Sequence, residues 1–295
     1  MSDTQTKTLF GNTDAIARGD VVPSEDVVCP VCGIPPEPFA VDYQGFRLCR
    51  CPKCSLEFVS PRLDYQQLAD NVYSHNYFAE EGEVMTVPPD RLHYFHRQLR
   101  DFEKLKPEKG RLLDLGCGNC EFLDAARLDG WEVAGIDIKL TSRARNYNTS
   151  IWEGPLDEID FGDAKFDLIR LNHVLEHMQD PVASLQVLRG LLRPGGIIFV
   201  SVPNIAGISP RMKSFQSRYN LKGHKWRHYA AVHHLFFFTH ETLRLVHEKA
   251  GLQMIDWSTP EPIRGGQSAF SHKLARAFYE KPRRSSILDM YSTVA

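Results

Sequence analysis

The sequence lacks the long apolar runs that a membrane protein needs. None of its hydrophobic stretches approaches the about 20 residues that cross a bilayer as a helix. The first 20 residues are polar and contain no apolar core of a secretory signal peptide, so we expect a cytoplasmic protein with no membrane span. Internal repeats are absent as well, which excludes a repeat architecture.

Cysteine and charge are unevenly distributed. Only seven cysteines occur in 295 residues, and in a cytoplasmic protein they are expected to be metal ligands or buried thiols rather than disulfides. The net charge of −2 conceals +8 over residues 205–295, which hold 14 basic and 6 acidic residues, and −10 over the first 204. This difference suggests that the C-terminal third meets an anionic molecule, although an uneven solvated surface would also produce it.

From residue 111 onward, apolar strand patterns alternate with amphipathic helices. The strand patterns are RLLDLG, WEVAGID, FDLIRLN, IIFVSVPN and LQMIDW. The helix CEFLDAARLDG has Asn119 as its expected N-cap, and Asp180-Pro181 begins a later one. Alternation at this spacing predicts an α/β fold with a doubly wound, mostly parallel sheet. Upstream, helical spacing of apolar residues predicts a helix that ends before Pro107: Leu92, Phe95, Leu99 and Phe102.

The most informative motif is LDLGCGN, which lies between a predicted strand and a predicted helix. Gly116 and Gly118 let the backbone turn sharply and approach a ligand, and the free N–H groups of the following helix can bind a carboxylate. About twenty residues later, Asp137 ends the next strand, where it can accept hydrogen bonds from both hydroxyls of a ribose.

Two details argue against a dinucleotide site. The pattern G-x-G-x-x-G is not completed after Gly116. Asp114 would repel phosphates, but its carboxylate suits the ammonium group of an amino acid. The motif therefore favours S-adenosylmethionine (SAM), which carries such an ammonium group, over NAD.

Four motifs in this order resemble those of the class I, Rossmann-like SAM-dependent methyltransferases: LDLGCGNCEFL, the strand-end Asp137, FDLIRLNHVLEHMQDP and LLRPGGIIFVSVPN. The resemblance covers residues 111–204 and resumes at HLFFFTHETLRLVHEKAGL. It departs from the family at Cys120, where another small residue, often glycine, is common. It implies methyl transfer by in-line displacement, which depends on the alignment of acceptor, methyl group and sulfur.

The resemblance also implies roles for single residues. The glycine turn would hold the methionine part of SAM, Asp137 the ribose, Leu156 the adenine edge, and Asn172 the floor below the sulfonium. The cofactor-binding candidates are Asp114, Gly116, Cys117, Gly118, Asp137, Ile138, Leu156, Asn172 and His173. Glu176-His177 recurs in the family as part of the fold, and His177 is also a candidate catalytic residue.

Two Cys-x-x-Cys pairs with 18 residues between them supply four thiolates, the pattern of a structural zinc site: Cys29, Cys32, Cys51 and Cys54. Cys49 could replace Cys51, but the spacing favours Cys51. The segment CPVCG to YSHNYF, from Cys29 to Phe78, resembles the zinc-binding leader of methyltransferases in sugar, polysaccharide and secondary-metabolite pathways. We do not expect C-methylation of a sugar, because enzymes of that kind carry a further C-terminal domain for which this chain lacks room.

The segment 205–238 contains six basic residues and no acidic ones. In the class I fold it follows a strand at its carboxyl end, so we expect it to cover the active site and to contact phosphate groups and a ring. A solvated loop or a homodimer contact is the alternative. The acceptor-binding candidates are Arg211, Arg218, Arg227 and Tyr229, and the candidate general bases are His233 and His234, besides His177.

These observations predict a methyltransferase for a small anionic acceptor: a sugar phosphate, nucleotide sugar or glycolipid of polysaccharide biosynthesis, or a secondary metabolite. Two alternatives stay open. One is an RNA methyltransferase that uses the zinc module to bind RNA, although Glu25–Arg62 is not basic. The other is a SAM-binding protein without turnover. The expected segments are a flexible tail (1–25), a zinc-binding module (26–62), a helical lid or linker (63–110), a methyltransferase domain (111–260) with the basic insertion (205–238), and a basic C-terminal segment (261–295).

Overall fold

The computed structural model describes residues 22–68, 89–221, 223–260 and 284–294. The strands are β1 (Glu37–Val41), β2 (Arg47–Arg50), β3 (Glu57–Val59), β4 (Arg111–Leu115), β5 (Glu132–Asp137), β6 (Ile151–Glu153), β7 (Phe166–Asn172), β8 (Leu192–Pro203), β9 (Phe236–Phe237), β10 (Leu252–Ser258) and β11 (Ile287–Val294). The helices are α1 (Tyr65–Leu68), α2 (Pro89–Leu105), α3 (Glu121–Leu128), α4 (Ser142–Arg145), α5 (Pro181–Gly190), α6 (Ile208–Arg218) and α7 (His240–Lys249). The expected tail falls outside the described residues as far as residue 21, as do residues 69–88 of the lid or linker and residues 261–283.

Seven strands form the central sheet, in the order β10-β11-β8-β7-β4-β5-β6. The five strands from β8 to β6 are parallel, and β11 runs antiparallel to β8 and β10. Most residues of the middle strands are buried because helices cover both faces of the sheet. This mixed sheet with flanking helices is the fold of the class I methyltransferases and confirms the predicted α/β architecture.

Helices α2 and α5 have boundaries that the sequence predicts. Helix α2 ends before Pro107 as expected and buries Phe95, Leu99 and Phe102, whereas Leu92 at the start of the predicted apolar face is exposed. Asp180 caps α5, since its side chain accepts hydrogen bonds from the N–H groups of the next two helical residues after Pro181. Among the described residues, no helix is long and apolar enough to cross a bilayer.

The last strand corrects one expectation. The sequence predicts a methyltransferase domain that ends at residue 260 and a basic C-terminal segment over residues 261–295, whereas β11 inserts between β8 and β10 and completes the sheet. Its polar residues conceal the strand pattern, but buried partners satisfy them. Asp289 pairs with Arg97 at 3.0 Å, and Ser292 hydrogen-bonds the ring of His247 at 2.8 Å. The catalytic domain therefore extends beyond residue 260.

The four-cysteine segment folds as a second sheet in the order β1-β2-β3-β9, and its last strand belongs to the basic insertion. Phe58 and Phe236 are register partners where β3 meets β9. Arg62, just after β3, donates a hydrogen bond of 2.7 Å to the carbonyl of Gln179 before α5. The predicted zinc-binding module (residues 26–62), called the cysteine module below, thus shares a sheet and a hydrophobic core with the catalytic domain.

Candidate active site

A pocket of about 600 Å³ opens at the carboxyl ends of β4, β5 and β7. Its size lies within the roughly 300–1,000 Å³ typical of small-molecule sites, and its position is where open α/β sheets bind ligands. One wall consists of residues 136–139 and 154–158, and the facing wall of residues 172–174, 177–180 and part of α5. Tyr65 and Leu68, in the short helix α1 that follows the cysteine module, line one side of the pocket.

The glycine turn after β4 is built as the sequence predicts. Gly116 lines the pocket at φ +76°, and a Cβ there would lie 2.5 Å from the side chain of Val174, so only glycine fits. Gly118 donates its N–H to Asp137 at 2.8 Å and thereby holds that carboxylate in place. Helix α3 begins after Cys120 in the left-handed conformation, without a side-chain cap, so the prediction of Asn119 as the N-cap was wrong.

The end of the pocket predicted to hold the nucleoside brings three candidates together. Asp137, Ile138 and Leu156 all line it. Burial raises the pKa of Asp137, although backbone N–H groups, Gly118 first among them, act in the opposite direction. An acidic side chain beside apolar surface at this strand end suits a ribose and an adenine ring.

Asp114 lies elsewhere than predicted. It is buried and ion-paired with Arg170 at 2.6 Å, and it does not line the pocket. Burial raises the pKa of Asp114 to about 6, although Arg170 opposes this. The Nε of Arg170 donates to Gln98, whose amide donates to Asn172 on the pocket floor, each at 3.0 Å. Asp114 therefore anchors a buried network that orients Asn172, and Cys117 likewise stays outside the lining.

Sequence reasoning missed Gln98 and Arg170. Arg170 is the one feature of the sequence that indicates this network, because a charged residue in the middle of the buried strand FDLIRLN requires a buried partner. Nothing local connects it to Gln98, which lies 72 residues earlier.

Two of the candidate catalytic and cofactor residues lie close together beyond β7. His173 lines the pocket, and its Nδ1 lies 3.3 Å from Glu176 Oε1. Burial disfavours the charged form of His173, but Glu176 more than offsets this and the pKa of His173 is raised. His177 also lines the pocket, and its Nδ1 lies 2.8 Å from the carbonyl oxygen of His233.

The other two catalytic candidates stand behind His177. The rings of His233 and His234 lie 5.4 and 4.9 Å from that of His177. Burial lowers the pKa of all three histidines, that of His233 to about 3. Burial therefore favours the neutral form of all three rings, and only His177 among them lines the pocket.

The predicted acceptor-binding residues are not brought to this pocket. Its lining contains no described residue of the basic insertion. Arg211, Arg218 and Arg227 are exposed, whereas Tyr229 is buried and donates its hydroxyl to Glu57 of β3 at 2.7 Å. The insertion takes this position because its aromatic residues pack against the cysteine module; the rings of Trp226 and Phe39, for example, lie 5.9 Å apart.

The four predicted metal-ligating cysteines converge. The sulfur atoms of Cys29, Cys32, Cys51 and Cys54 lie within 4.8 Å of one another, those of Cys29 and Cys54 at 3.5 Å. Tetrahedral zinc with bonds of about 2.3 Å places its sulfur ligands about 3.8 Å apart, so the donor set fits a structural zinc ion. Cys49 takes no part, since its thiol donates to the carbonyl of Ser60.

The sheet, the glycine turn and the strand-end Asp137 define a class I SAM-dependent methyltransferase. A family model described as "Methyltransferase domain" matches residues 90–256, more than half of the chain, and the chain belongs to this family. The protein is thus a SAM-dependent methyltransferase.

The relatives that are named for an activity are distant in sequence. The chain is 29% identical over 187 residues to a ubiquinone biosynthesis O-methyltransferase of Dinoroseobacter shibae, covering 57% of this chain and 72% of that one. It is 31% identical over 130 residues to the enzyme of the same name from Cereibacter sphaeroides (strain ATCC 17029 / ATH 2.4.9), covering 39% and 53%. This second match therefore spans about half the length of the relative.

Among solved structures, the 1,6-didemethyltoxoflavin-N1-methyltransferase of Burkholderia thailandensis, with bound 1,6-didemethyltoxoflavin and S-adenosylhomocysteine, matches with a TM-score of 0.51 and 17% identity. The match covers 88% of this chain and all of that one. At this identity the likeness shows a shared fold.

Proposed function

We propose that the protein transfers the methyl group of SAM to a hydroxyl oxygen of a small acceptor. The observation that carries this proposal is one continuous pocket with two chemically different ends. The end at Asp137 offers a carboxylate and apolar side chains, which suit a nucleoside. The end at His173 and His177 offers ring nitrogens, which suit an acceptor whose hydroxyl must lose a proton.

In this proposal Asp137 binds the ribose, Ile138 and Leu156 flank the adenine, and Gly116 approaches the methionine part. Asn172 is held below the sulfonium by the buried network from Asp114. His177 stands on the acceptor side, and burial lowers its pKa and favours the neutral ring, which leaves one ring nitrogen with a lone pair at that end of the pocket. The four cysteines bind a structural zinc ion, away from the methyl transfer.

The acceptor class rests on the relatives named for ubiquinone biosynthesis, which are O-methyltransferases by name. We therefore place a small hydroxylated ring compound first. A sugar or glycan precursor that carries phosphate is the second candidate, favoured by the exposed arginines of the basic insertion and by the resemblance of the cysteine segment. RNA is not favoured, because the cysteine module is not basic and the named relatives point to a small molecule.

The test is S-adenosylhomocysteine release from purified protein with matched pairs of acceptors. Each hydroxylated ring compound is compared with its methoxylated counterpart, which has the same ring but a methyl ether in place of the hydroxyl. A nucleotide sugar is assayed in parallel. We expect turnover with a free hydroxyl and none with the methoxylated partner, and mass spectrometry should place the new methyl group on oxygen. Methylation of nitrogen or carbon alone would contradict the proposal.

A further inference from the structure

A second group of ligand-type side chains lies at the acceptor end of the pocket. Glu176, His177 and His234 each direct one ligand atom, a carboxylate oxygen or a ring nitrogen, into a common space where these atoms lie within 4.8 Å of one another. His177 also lines the pocket. The three residues come from the turn after β7 and from the end of the basic insertion, and backbone contacts join these two segments. The N–H of Leu235 donates to the carbonyl of Glu176 at 2.8 Å.

His177 is oriented as a metal-bound histidine usually is. It uses Nδ1–H to donate to the carbonyl oxygen of His233 at 2.8 Å. In a neutral imidazole the other nitrogen then carries a lone pair and no proton. A backbone carbonyl that fixes one ring nitrogen so that the other can bind a metal is the typical outer partner of a metal-bound histidine.

Glu176 provides an independent observation. Its side chain is almost completely buried, and one oxygen, Oε1, lies 3.3 Å from His173. The other oxygen, Oε2, is buried without a hydrogen-bond partner among the described residues. Leaving a buried carboxylate oxygen without a partner is costly, and a cation beside it would remove that cost.

We propose that Glu176, His177 and His234 bind a divalent cation of the zinc, cobalt or manganese class, which in turn binds the oxygen of the methyl acceptor. That the cation binds the acceptor oxygen rests on the O-methyltransferase function proposed above. The cation site itself does not rest on that function. Two histidines and one carboxylate are a donor set of catalytic metal sites that keep open positions for substrate. Ligand atoms about 2.0–2.2 Å from a tetrahedral metal lie about 3.3–3.6 Å apart, so the three atoms, which lie within 4.8 Å of one another, close around a cation by moving together by at most about 1.5 Å.

The chemistry follows from the charge of the cation. A hydroxyl oxygen bound to it loses its proton more easily, and the proton leaves to solvent through the open pocket. The resulting oxyanion attacks the methyl carbon of SAM, so that one carbon–oxygen bond forms while the carbon–sulfur bond breaks. The sulfur keeps the electron pair of that bond. The products are the methyl ether, neutral S-adenosylhomocysteine and one proton.

The experiment is a direct cobalt titration of the zinc-loaded, full-length protein, with no acceptor present. The closed four-cysteine site retains zinc, so added Co²⁺ reports on the open site through its visible absorption, and metal analysis after gel filtration counts both ions. We expect one additional Co²⁺ per chain, with the weak visible bands of nitrogen and oxygen ligands. Intense sulfur-to-cobalt bands would mean that cobalt had instead replaced zinc at the cysteines.

Variants identify the ligands. We expect Glu176→Gln and His234→Gln each to weaken Co²⁺ binding by more than the roughly 10- to 100-fold lost with an outer partner of a metal ligand. His224→Gln is the matched control, because His224 lies in the same insertion but is exposed and packs on Tyr43. SAM affinity, measured in the same preparations, reports whether each variant is folded.

The outcomes separate this inference from the proposed function. Wild-type protein that binds no Co²⁺ or Mn²⁺ beyond the cysteine site would overturn the cation site, whatever happens to the variants. Equal Co²⁺ affinity in wild type and in the folded His234→Gln protein would also overturn it. O-methylation that proceeds at full rate after chelation would leave the proposed function intact and remove the cation from it.

Discussion

The four-cysteine cluster and the Glu176–His177–His234 cluster are both groups of ligand atoms within 4.8 Å, yet they differ in every other respect. The cysteines come from two short turns of one module, offer four soft ligands, and do not line the pocket. The second cluster offers three nitrogen and oxygen ligands and opens into the pocket through His177. The first has the design of a closed structural site, and the second that of an open site.

The basic insertion connects the two clusters. Its Trp226 and Tyr229 pack against the cysteine module, and its β9 pairs with β3 of that module. A few residues earlier than β9, His234 reaches Glu176 and His177. The difference between the clusters therefore suggests a division of labour, in which the cysteine module fixes the segment that carries His234.

The largest expected effect comes from removing the structural metal. Cys29→Ser combined with Cys54→Ser should abolish zinc binding, which in small zinc modules contributes about 10–16 kcal/mol to folding. Because the module supports the insertion, methyl transfer should be lost although no cysteine lines the pocket. Metal analysis and thermal denaturation measure the first effect, and S-adenosylhomocysteine release the second.

Cys49→Ser is the matched control for that experiment. Cys49 is buried in the same module, but its thiol donates only to backbone carbonyls. It should retain one zinc per chain under reducing conditions. Wild-type protein without zinc, or a double variant with unchanged stability and activity, would remove the cysteine module from its proposed structural role.

The next effect concerns the cofactor end of the pocket. Asp137→Ala should weaken SAM binding by about 1.5–3 kcal/mol, roughly 10- to 150-fold, because hydrogen bonds from the ribose to a charged group are lost. Calorimetry with SAM measures it, and Asp163→Ala, an exposed aspartate outside the pocket lining, is the control. Unchanged affinity in the Asp137 variant would place SAM elsewhere.

A smaller effect tests how the insertion is attached. Tyr229→Phe removes the 2.7 Å hydrogen bond to Glu57, a buried charged acceptor, and should lower the free energy of unfolding by about 1.5–3 kcal/mol. The acceptor KM should not change, since Tyr229 lies outside the pocket lining. Urea denaturation with Tyr219→Phe, an exposed tyrosine of the same segment, as control measures the stability. A raised KM with normal stability would instead restore Tyr229 as an acceptor-binding residue.

What the sequence predicts well is what depends on neighbours along the chain. The Cys-x-x-Cys spacing, the Gly116 turn and the Asp180 cap are all determined within a few residues, and all three are found as expected. Other features depend on distant partners. The sequence pattern assigns Asp114 to an ammonium group because nothing local indicates its ion pair with Arg170, 56 residues later, or the hydrogen bond from Arg170 to Gln98, 72 residues away.

The same reason explains the missed strand and the misplaced insertion. In β11, Asp289 and Ser292 interrupt the apolar pattern, and only their buried partners make a central strand tolerable. In the insertion, six basic residues without an acid suggested a contact with an anionic acceptor, but the aromatic residues between them determine where the segment packs. The Glu176–His177–His234 cluster likewise joins segments that are distant in the sequence, since His177 contacts His233, which lies 56 residues later.

The smallest expected effect decides between the two acceptor classes. Arg218→Gln combined with Arg227→Gln changes two exposed side chains that do not line the pocket. If the acceptor is a neutral hydroxylated ring, KM should stay within about twofold, because exposed substitutions away from a site change free energies by about 0.5 kcal/mol or less.

A phosphorylated acceptor that extends to the insertion would give a different pattern. Its KM would rise well beyond that range, since the arginine forks that bind phosphate are lost. It would also rise with salt in the wild type, because exposed charges are screened over about 8–10 Å. SAM affinity should be unchanged in either case, and a shift in it would show that the insertion acts on the pocket indirectly.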